Sequence, residues 1–364
     1  MKNNQYCVIM AGGHLNRFWP ISREGMPGHF LDISGTGKTF VRMAYERCLG
    51  VVPEENILII TLGKFKDIIN EQIPELPKEN LLLEPYARRT APCIAYATYT
   101  LLKRNPNAVM AATPADIIVN DEQLFKETMT NALDYAEKNP VLVTLGVKPD
   151  RPDTEYGYIQ AVGGKGACSS GDPVKVKTFT EKPDAEIADV FFRSGEFFWN
   201  SGIFVWQASV IKEEMERYIP EITRLFDGWE GALGSPAEEV FIERAYTDCI
   251  KLSIDYGVME KTDRAWVYPI QFGWSDIDSW ENYYSSIRSK DQDGNISNTQ
   301  MKILQNDKRN IILTKNKNKL LMIRGLEDCL VVDTDDVLLI CPRDDKQYKE
   351  LVNSTRMPGY DKYR

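Results

Sequence analysis

Apolar and polar residues are arranged in two alternating patterns along this chain. Short unbroken apolar runs recur: YCVIMA (6–11), NILIIT (56–61), LLLEP (81–85), AVMAATP (108–114) and VLVTLGV (141–147). They have strand length and no polar face, as expected of strands buried on both sides of a sheet. Between them, TFVRMAYERCL, FKDIINEQI, TAPCIAYATYTLLKR and LFKETMTNALDYAEK carry apolar residues at helical spacing. This alternation predicts an α/β fold built on a doubly wound, mostly parallel sheet. Ligands of such sheets sit outside the carboxyl ends of the strands, and Gly12 and Gly13 fall at one such end.

Beyond residue 150 the pattern loosens. GYIQAV and VKVKTFTEKP read as strands, and AEIADVFFRSG and ASVIKEEMERYIPEITRLF as helices. SWENYYSSIRSKDQDGN leads into a linker with turn chemistry. From Asn310 onward, NIILTK, KLLMIRG, CLVVDT and VLLICPR are short strands between tight turns. The expected organisation is an α/β domain over 1–290, a small all-β domain over 295–345 whose strands stack as partial coils, and a C-terminal tail over 346–364.

Charge and composition narrow the function classes. The 364 residues include 44 Lys and Arg against 53 Asp and Glu, a net charge of −9. No basic stretch offers a footprint for a phosphate backbone, so nucleic acid is not an expected partner. No apolar run approaches the roughly 20 residues that span a bilayer, and the opening MKNNQYCVIM lacks the long apolar core of a signal peptide. The seven cysteines are scattered without a CxxC pair, which predicts reduced thiols and a cytoplasmic location. Two histidines are too few for a histidine-rich zinc site.

Several blocks offer chemistry, each beside a plainer reading. Gly12-Gly13 after a strand frees backbone amides to face an anion, and Arg17 adds a fixed guanidinium. The same residues also fit a tight turn with a surface arginine. GTGKT (35–39) approaches a P-loop, but Asp32 stands where the first P-loop glycine belongs, so a hairpin-like turn is expected. Asp116 in TPADIIV and Asp276 in GWSDIDSW are candidate Mg²⁺ ligands, or else helix caps and turn residues. Glu181 and Lys182 in FTEKP fit a solvated turn or a site. Asn200-Ser201-Gly202, inside the apolar FFWNSGIFVW, is a strand bulge or a polyol-binding trio. EPYARRTAP reads as a helix start capped by Thr90.

Taken in order, these blocks resemble the mannose-1-phosphate guanylyltransferases, a branch of the sugar nucleotidyltransferases. The family pattern GG-x-G-x-R-x-W-P-x-S-R followed by P-K-Q-F-L corresponds to GGHLNRFWPISREGMPGHFL. EPYARRTAP, PADI, EYGYI (155–159), FTEKP, WNSGIF, SIDYGVME (253–260) and GWSDIDSW follow in the family's order, covering roughly residues 6–341. The resemblance implies a nucleotide-diphospho-sugar transferase fold with a short β-helical appendage that commonly supports a homodimer. It implies transfer of GMP from GTP to mannose 1-phosphate, giving GDP-mannose and pyrophosphate. Ala11, Gly12, Gly13, Arg17, Arg88 and Asp116 would contact the nucleotide, with Arg17 clamping the triphosphate. Asp116 and Asp276 would hold Mg²⁺. Gly157, Glu181 and Asn200 would bind the sugar, and Lys182 would meet the sugar phosphate. Arg17 and Lys182 are thereby the implied catalytic residues.

Six departures from the family pattern fall inside the motifs. Leu15 replaces a loop glycine, Gly28-His29 replaces Lys-Gln, and Arg89 replaces the asparagine of R-N-T. Ile117 replaces the histidine after the first metal aspartate, Glu155 replaces a glycine, and Asp278 replaces the glycine after the second aspartate. Loss of one preorganised electrostatic donor typically costs about 10²–10³ in rate. An unperturbed imidazole, with a pKa of about 6.5, is mostly neutral at cytoplasmic pH and no substitute for lysine. The first expectation is therefore a working guanylyltransferase. The alternative is a catalytically impaired paralogue that binds ligand or regulates a partner. A Rossmann dehydrogenase would need G-x-G-x-x-G where GGHLNR stands.

Overall fold

The computed structural model describes residues 2–13, 16–33, 35–167, 172–277, 279–287 and 289–363, with Asn16 described by its backbone alone. Leu15 and Asp278, two of the six departures, lie outside the described residues. The first strands are β1 (Gln5–Met10), β2 (Ile57–Leu62), β3 (Leu81–Glu84) and β4 (Val109–Pro114). They pair in parallel in the order β3-β2-β1-β4. The helices α1 (Phe40–Leu49), α2 (Lys66–Gln72) and α3 (Thr90–Arg104) alternate with these strands, and α4 (Glu122–Lys138) follows. Every residue of β2 is buried, which is why it reads as an unbroken apolar run. Small residues let α3 lie close on the sheet: Ala91, Ala95 and Ala97 are fully buried.

β5 (Ile117–Val119) precedes α4, and β6 (Leu142–Val147), β7 (Tyr158–Ala161), β8 (Val174–Thr180), β9 (Phe197–Gln207) and β10 (Ala265–Ile270) follow it. Without β5, they complete a nine-stranded sheet in the order β3-β2-β1-β4-β9-β6-β10-β8-β7. The eleven-residue β9 runs antiparallel to β4, β6 and β7. The parallel pattern expected from the alternating runs thus holds through β3-β2-β1-β4 and β6–β10, while β9 and the β10-β8-β7 edge pair antiparallel and make the whole sheet mixed. β1 sits between β2 and β4, so the chain leaves it at a switch point of the strand order, where the crevice of such sheets opens. The segment ASVIKEEMERYIPEITRLF, expected as one helix, breaks after Tyr218 where Pro220 begins a new turn.

The chain forms two compact units. The first comprises Met1–Gly13, Met43–Ala115 and Val119–Trp274, and holds the large sheet. The second comprises His14–Arg42, Asp116–Ile118 and Ser275–Arg364. A split at residue 290 was expected, but the second unit also gathers segments from the N-terminal half. Aromatic packing explains part of this. Phe18 meets Trp280 edge-on at 5.0 Å and Tyr283 at 6.4 Å, and Trp280 meets Tyr348 at 6.4 Å.

In the second unit β11 (Trp274–Asp276) pairs with β5. Then β12 (Ile296–Ser297), β13 (Lys302–Gln305), β14 (Ile311–Thr314), β15 (Leu321–Arg324), β16 (Cys329–Asp333) and β17 (Leu338–Pro342) follow. β12, β14 and β16 stack in parallel, as do β13 and β15, so successive turns of chain form coils. Buried asparagines close the corners: Asn295 Oδ1 accepts from Asn310 N and Nδ2, both at 3.0 Å. The segment 346–364, read as a tail, instead continues a helix, Asp345–Asn353, capped by Asp344, with Tyr348 buried. No described helix is long and apolar enough to cross a membrane.

Candidate functional site

In the first unit, β1 ends in the glycine turn. Ala11 is fully buried; its N–H donates to Ile60 O at 2.9 Å and its carbonyl accepts from Thr61 Oγ1 at 2.8 Å. At Gly12 a Cβ would lie 2.7 Å from Glu84 Oε2, so any side chain there would have to displace that carboxyl or the turn. Gly13 has φ 112°, a conformation closed to side-chain-bearing residues. The Glu84 carboxyl ends β3, is 3% exposed, and accepts from Tyr246 Oη at 3.0 Å. Burial pushes it up to about 7, against the lowering effect of the Tyr246 hydrogen bond. The sequence reading gave Glu84 no role, although a glutamate before proline at a strand's carboxyl end was the available signal.

Arg88 donates from Nε to Tyr246 O at 3.0 Å and from Nη2 to Thr247 O at 3.1 Å. Two donors of this expected nucleotide ligand thus tie down the end of helix Glu238–Thr247. Arg89 adopts φ 66° and ψ −168°, a region costly for any residue with a Cβ. Thr90 is not the cap expected of it. It is the first residue of α3, and its Oγ1 accepts from Ile254 N at 2.9 Å.

The sugar-side residues also converge within the first unit. At Gly157 a Cβ would lie 2.4 Å from Glu181 Oε2, so glycine leaves room for that carboxyl. Asn200 N donates to Gly157 O at 2.8 Å. The pairing of β6 with β9 slips between Thr144 and Gly146. The WNSG segment therefore fits the strand-bulge reading, with Asn200 at the irregularity in the ladder. Asn200 Nδ2 donates to Asp255 Oδ1 at 2.9 Å, and Thr144 Oγ1 donates to Asn200 Oδ1 at 2.9 Å. Glu181 N donates to Glu260 Oε1 at 3.1 Å. Desolvation, then the charge of Asp255, pushes Glu181 up to about 7. Desolvation likewise raises Asp255 to about 6. Asp255 and Glu260 lie inside the quoted SIDYGVME, yet they were given no role. Lys182 is exposed with φ 47°, and its Nζ lies 3.6 Å from Glu155 Oε2. The departure at Glu155 thus places a carboxylate against the expected phosphate lysine.

The second unit holds Arg17, Asp116 and Asp276. Ile277 N donates to Asp116 O at 3.5 Å, so backbone pairing holds the two aspartates on neighbouring segments, and both are half-buried. Ile117, in place of the family's histidine, is 1% exposed and belongs to the core. No group of three or more His, Cys, Asp and Glu side chains suited to a metal occurs among the described residues. Two carboxylates without further protein ligands are a donor set that suits Mg²⁺ carrying substrate phosphates and water.

The Arg17 backbone is held by an unexpected residue. Tyr348 Oη donates to Arg17 O and Trp19 O, each at 3.0 Å. Trp19 Nε1 donates to Tyr363 O at 2.6 Å. Gly28 and His29 form a buried short turn; His29 is 3% exposed with its ring 5.7 Å from Phe30. Gly28, which stands where the family has lysine, has no side chain and so offers no cation at that position. In GTGKT, Asp32 carboxylate oxygens accept from Thr36 N at 3.0 Å and Gly37 N at 2.8 Å. The amides that a P-loop gives to phosphate are here taken by the chain itself.

The whole sheet and both glycine-turn and sugar-side clusters fall inside one matched region, residues 6–293, which fits the nucleotidyl transferase family. The chain belongs to that family. Among nucleotidyl transferases, it is 35% identical to the mannose-1-phosphate guanylyltransferase of Escherichia coli, covering 99% of this chain and 75% of that relative. It is 34% identical to the alginate biosynthesis protein AlgA of Pseudomonas aeruginosa, covering 93% of this chain and 69% of that relative. A crystal structure from Thermus thermophilus, described as a mannose-1-phosphate geranyltransferase, superposes with a TM-score of 0.84 at 28% identity. That match covers 97% of this chain and 100% of the other.

Proposed function

We propose that this nucleotidyl transferase moves GMP from GTP to mannose 1-phosphate, producing GDP-mannose and pyrophosphate. A phosphate oxygen of the sugar phosphate attacks the α-phosphorus in line. The new P–O bond forms as the α–β bridging bond breaks, and the pyrophosphate carries away the bond's electron pair. The protein's part is positioning and charge neutralisation. The observation that carries the reading is the cluster of Glu181, Asp255 and Asn200 beside Lys182. Carboxyls and an amide suit sugar hydroxyls, and the adjacent lysine suits the phosphate.

The residues divide the work by chemistry. The Gly12-Gly13 turn offers backbone amides to the nucleotide, and the buried Glu84 carboxyl is the acceptor nearest to it for N–H groups of a base. Arg17 neutralises triphosphate charge. Asp116 and Asp276 hold Mg²⁺, which when bound supplies charge neutralisation at the phosphates. The cytoplasm is the proposed location, and a homodimer the proposed assembly.

The second reading, an impaired relative, draws on Gly28 at the lysine position and on Glu155 facing Lys182. Purified protein with GTP, mannose 1-phosphate and Mg²⁺ separates the two. Release of pyrophosphate matched by GDP-mannose is expected. The loss of one cation sets the turnover about 10²–10³ below that of a relative with the lysine. No product with any nucleoside triphosphate and several sugar phosphates would favour the impaired relative.

A further inference from the structure

The Asn200 carboxamide is largely committed before any sugar arrives. Its Oδ1 accepts from Thr144 Oγ1 at 2.9 Å and from Gly202 N at 3.2 Å, which uses both lone pairs. The Gly202 amide is always a donor, so the carboxamide oxygen must face it. The nitrogen then faces Asp255, and one N–H goes to Asp255 Oδ1 at 2.9 Å. Among the described residues the other N–H has no acceptor, which leaves it for a ligand.

We infer that Asp255 is a positioning residue of the sugar-phosphate site: its carboxylate locks Asn200 in the single orientation that presents one N–H to a sugar hydroxyl. The lock has three points, Thr144 from β6, Gly202 from β9 and Asp255 from the turn after Ser253. Asp255 is the only one of the three that bonds the carboxamide nitrogen among the described residues. Glu181, with its carboxyl over Gly157, stands beside the lock. The charges facing this pair are Lys182, which favours ionisation of both carboxyls, and Glu260, which opposes it. The phenol of Tyr256 feels the same acids and Arg89. With Glu181 raised to about 7 and Asp255 to about 6, Asp255 is mostly ionised at neutral pH while Glu181 is protonated in about half of the molecules. A carboxylate and a carboxylic acid side by side offer one acceptor and one donor, matching a vicinal diol.

The kinetic arm of the test rests on the proposed reaction; the spectroscopic arm does not. In ¹⁵N-labelled protein, one Asn200 side-chain proton should exchange slowly, become fast in Asp255→Ala, and slow again in Asp255→Asn, whose oxygen still accepts. In steady-state assays, Asp255→Ala should raise KM for mannose 1-phosphate about tenfold, the size of one lost hydrogen bond, with KM for GTP unchanged. Asp255→Asn should restore most of that KM. It should also shift the acidic limb of the kcat/KM profile to lower pH, because Glu181 loses its anionic neighbour. Should Asp255→Ala not fold, Thr144→Val, which removes a donor to the same carboxamide, carries the test with a smaller rise in the same KM. An Asn200 amide signal unchanged in Asp255→Ala, or Asp255→Asn behaving no better than Asp255→Ala, would overturn the inference. If the wild-type protein shows no turnover, the proposed reaction fails and the exchange measurement alone decides the role of Asp255.

Discussion

Gly12→Ala is the sharpest perturbation of the nucleotide turn. The added methyl would lie 2.7 Å from Glu84 Oε2, whereas ordinary contact begins at 3.4 Å. One side must therefore move by about 0.7 Å, the difference of those two distances. Glu84 is 3% exposed and held by Tyr246, so it cannot swing into solvent. Overpacking of this kind costs about 1–3 kcal/mol. If the turn yields, the expected readout is a rise in KM for GTP of about five- to 150-fold. If Glu84 yields, thermal stability falls instead. The assay is a double-mutant cycle of Gly12→Ala with Glu84→Ala, read by thermal unfolding and by GTP KM. Removing the carboxyl should relieve the clash, giving a coupling of about 0.5–3 kcal/mol. Equal effects of Gly12→Ala in the two backgrounds would refute the reasoning.

Other outcomes follow from the same geometry. Glu84 has its carboxyl raised from 4.5 to about 7, so the folded state holds more protons than the unfolded one between those values. Stability should therefore fall as pH rises from about 4.5 to 7, by up to about 3 kcal/mol, and Glu84→Gln should flatten that slope in urea unfolding series. Tyr348→Phe removes the donor shared by Arg17 O and Trp19 O and should cost about 1–3 kcal/mol; kcat should drop while KM for mannose 1-phosphate stays within twofold. Glu155→Gly removes the carboxylate facing Lys182 and should lower KM for mannose 1-phosphate a few-fold, about the worth of an exposed ion pair, with less effect at high salt.

Much of the fold was legible because burial is local in sequence. TAPCIAYATYTLLKR matches α3 residue for residue, and the apolar runs match β1 to β4 and β6 within a residue or two. What failed was chemistry that depends on partners far along the chain. Thr90 reads as a cap, but its hydroxyl serves Ile254, brought near only by the fold. The mixed sheet could not be read, because the direction of β9 leaves no mark on its composition. The segment 346–364 looks like a solvated tail, and only its packing reveals Tyr348 beneath Arg17. Glu181, Lys182 and Asn200 stand inside short motifs that the family resemblance picks out. Asp255 gains meaning only through Asn200, 55 residues away.

The central claim is that the chain still turns over despite the altered loop. Phosphorus NMR of the purified protein with GTP, mannose 1-phosphate and Mg²⁺ tests it most directly. The account expects pyrophosphate and GDP-mannose to accumulate in equal amounts, at a rate that falls further when Asp116→Ala or Asp276→Ala is introduced. Unchanged GTP and mannose 1-phosphate, or a product that accumulates equally well in those two variants, would contradict it.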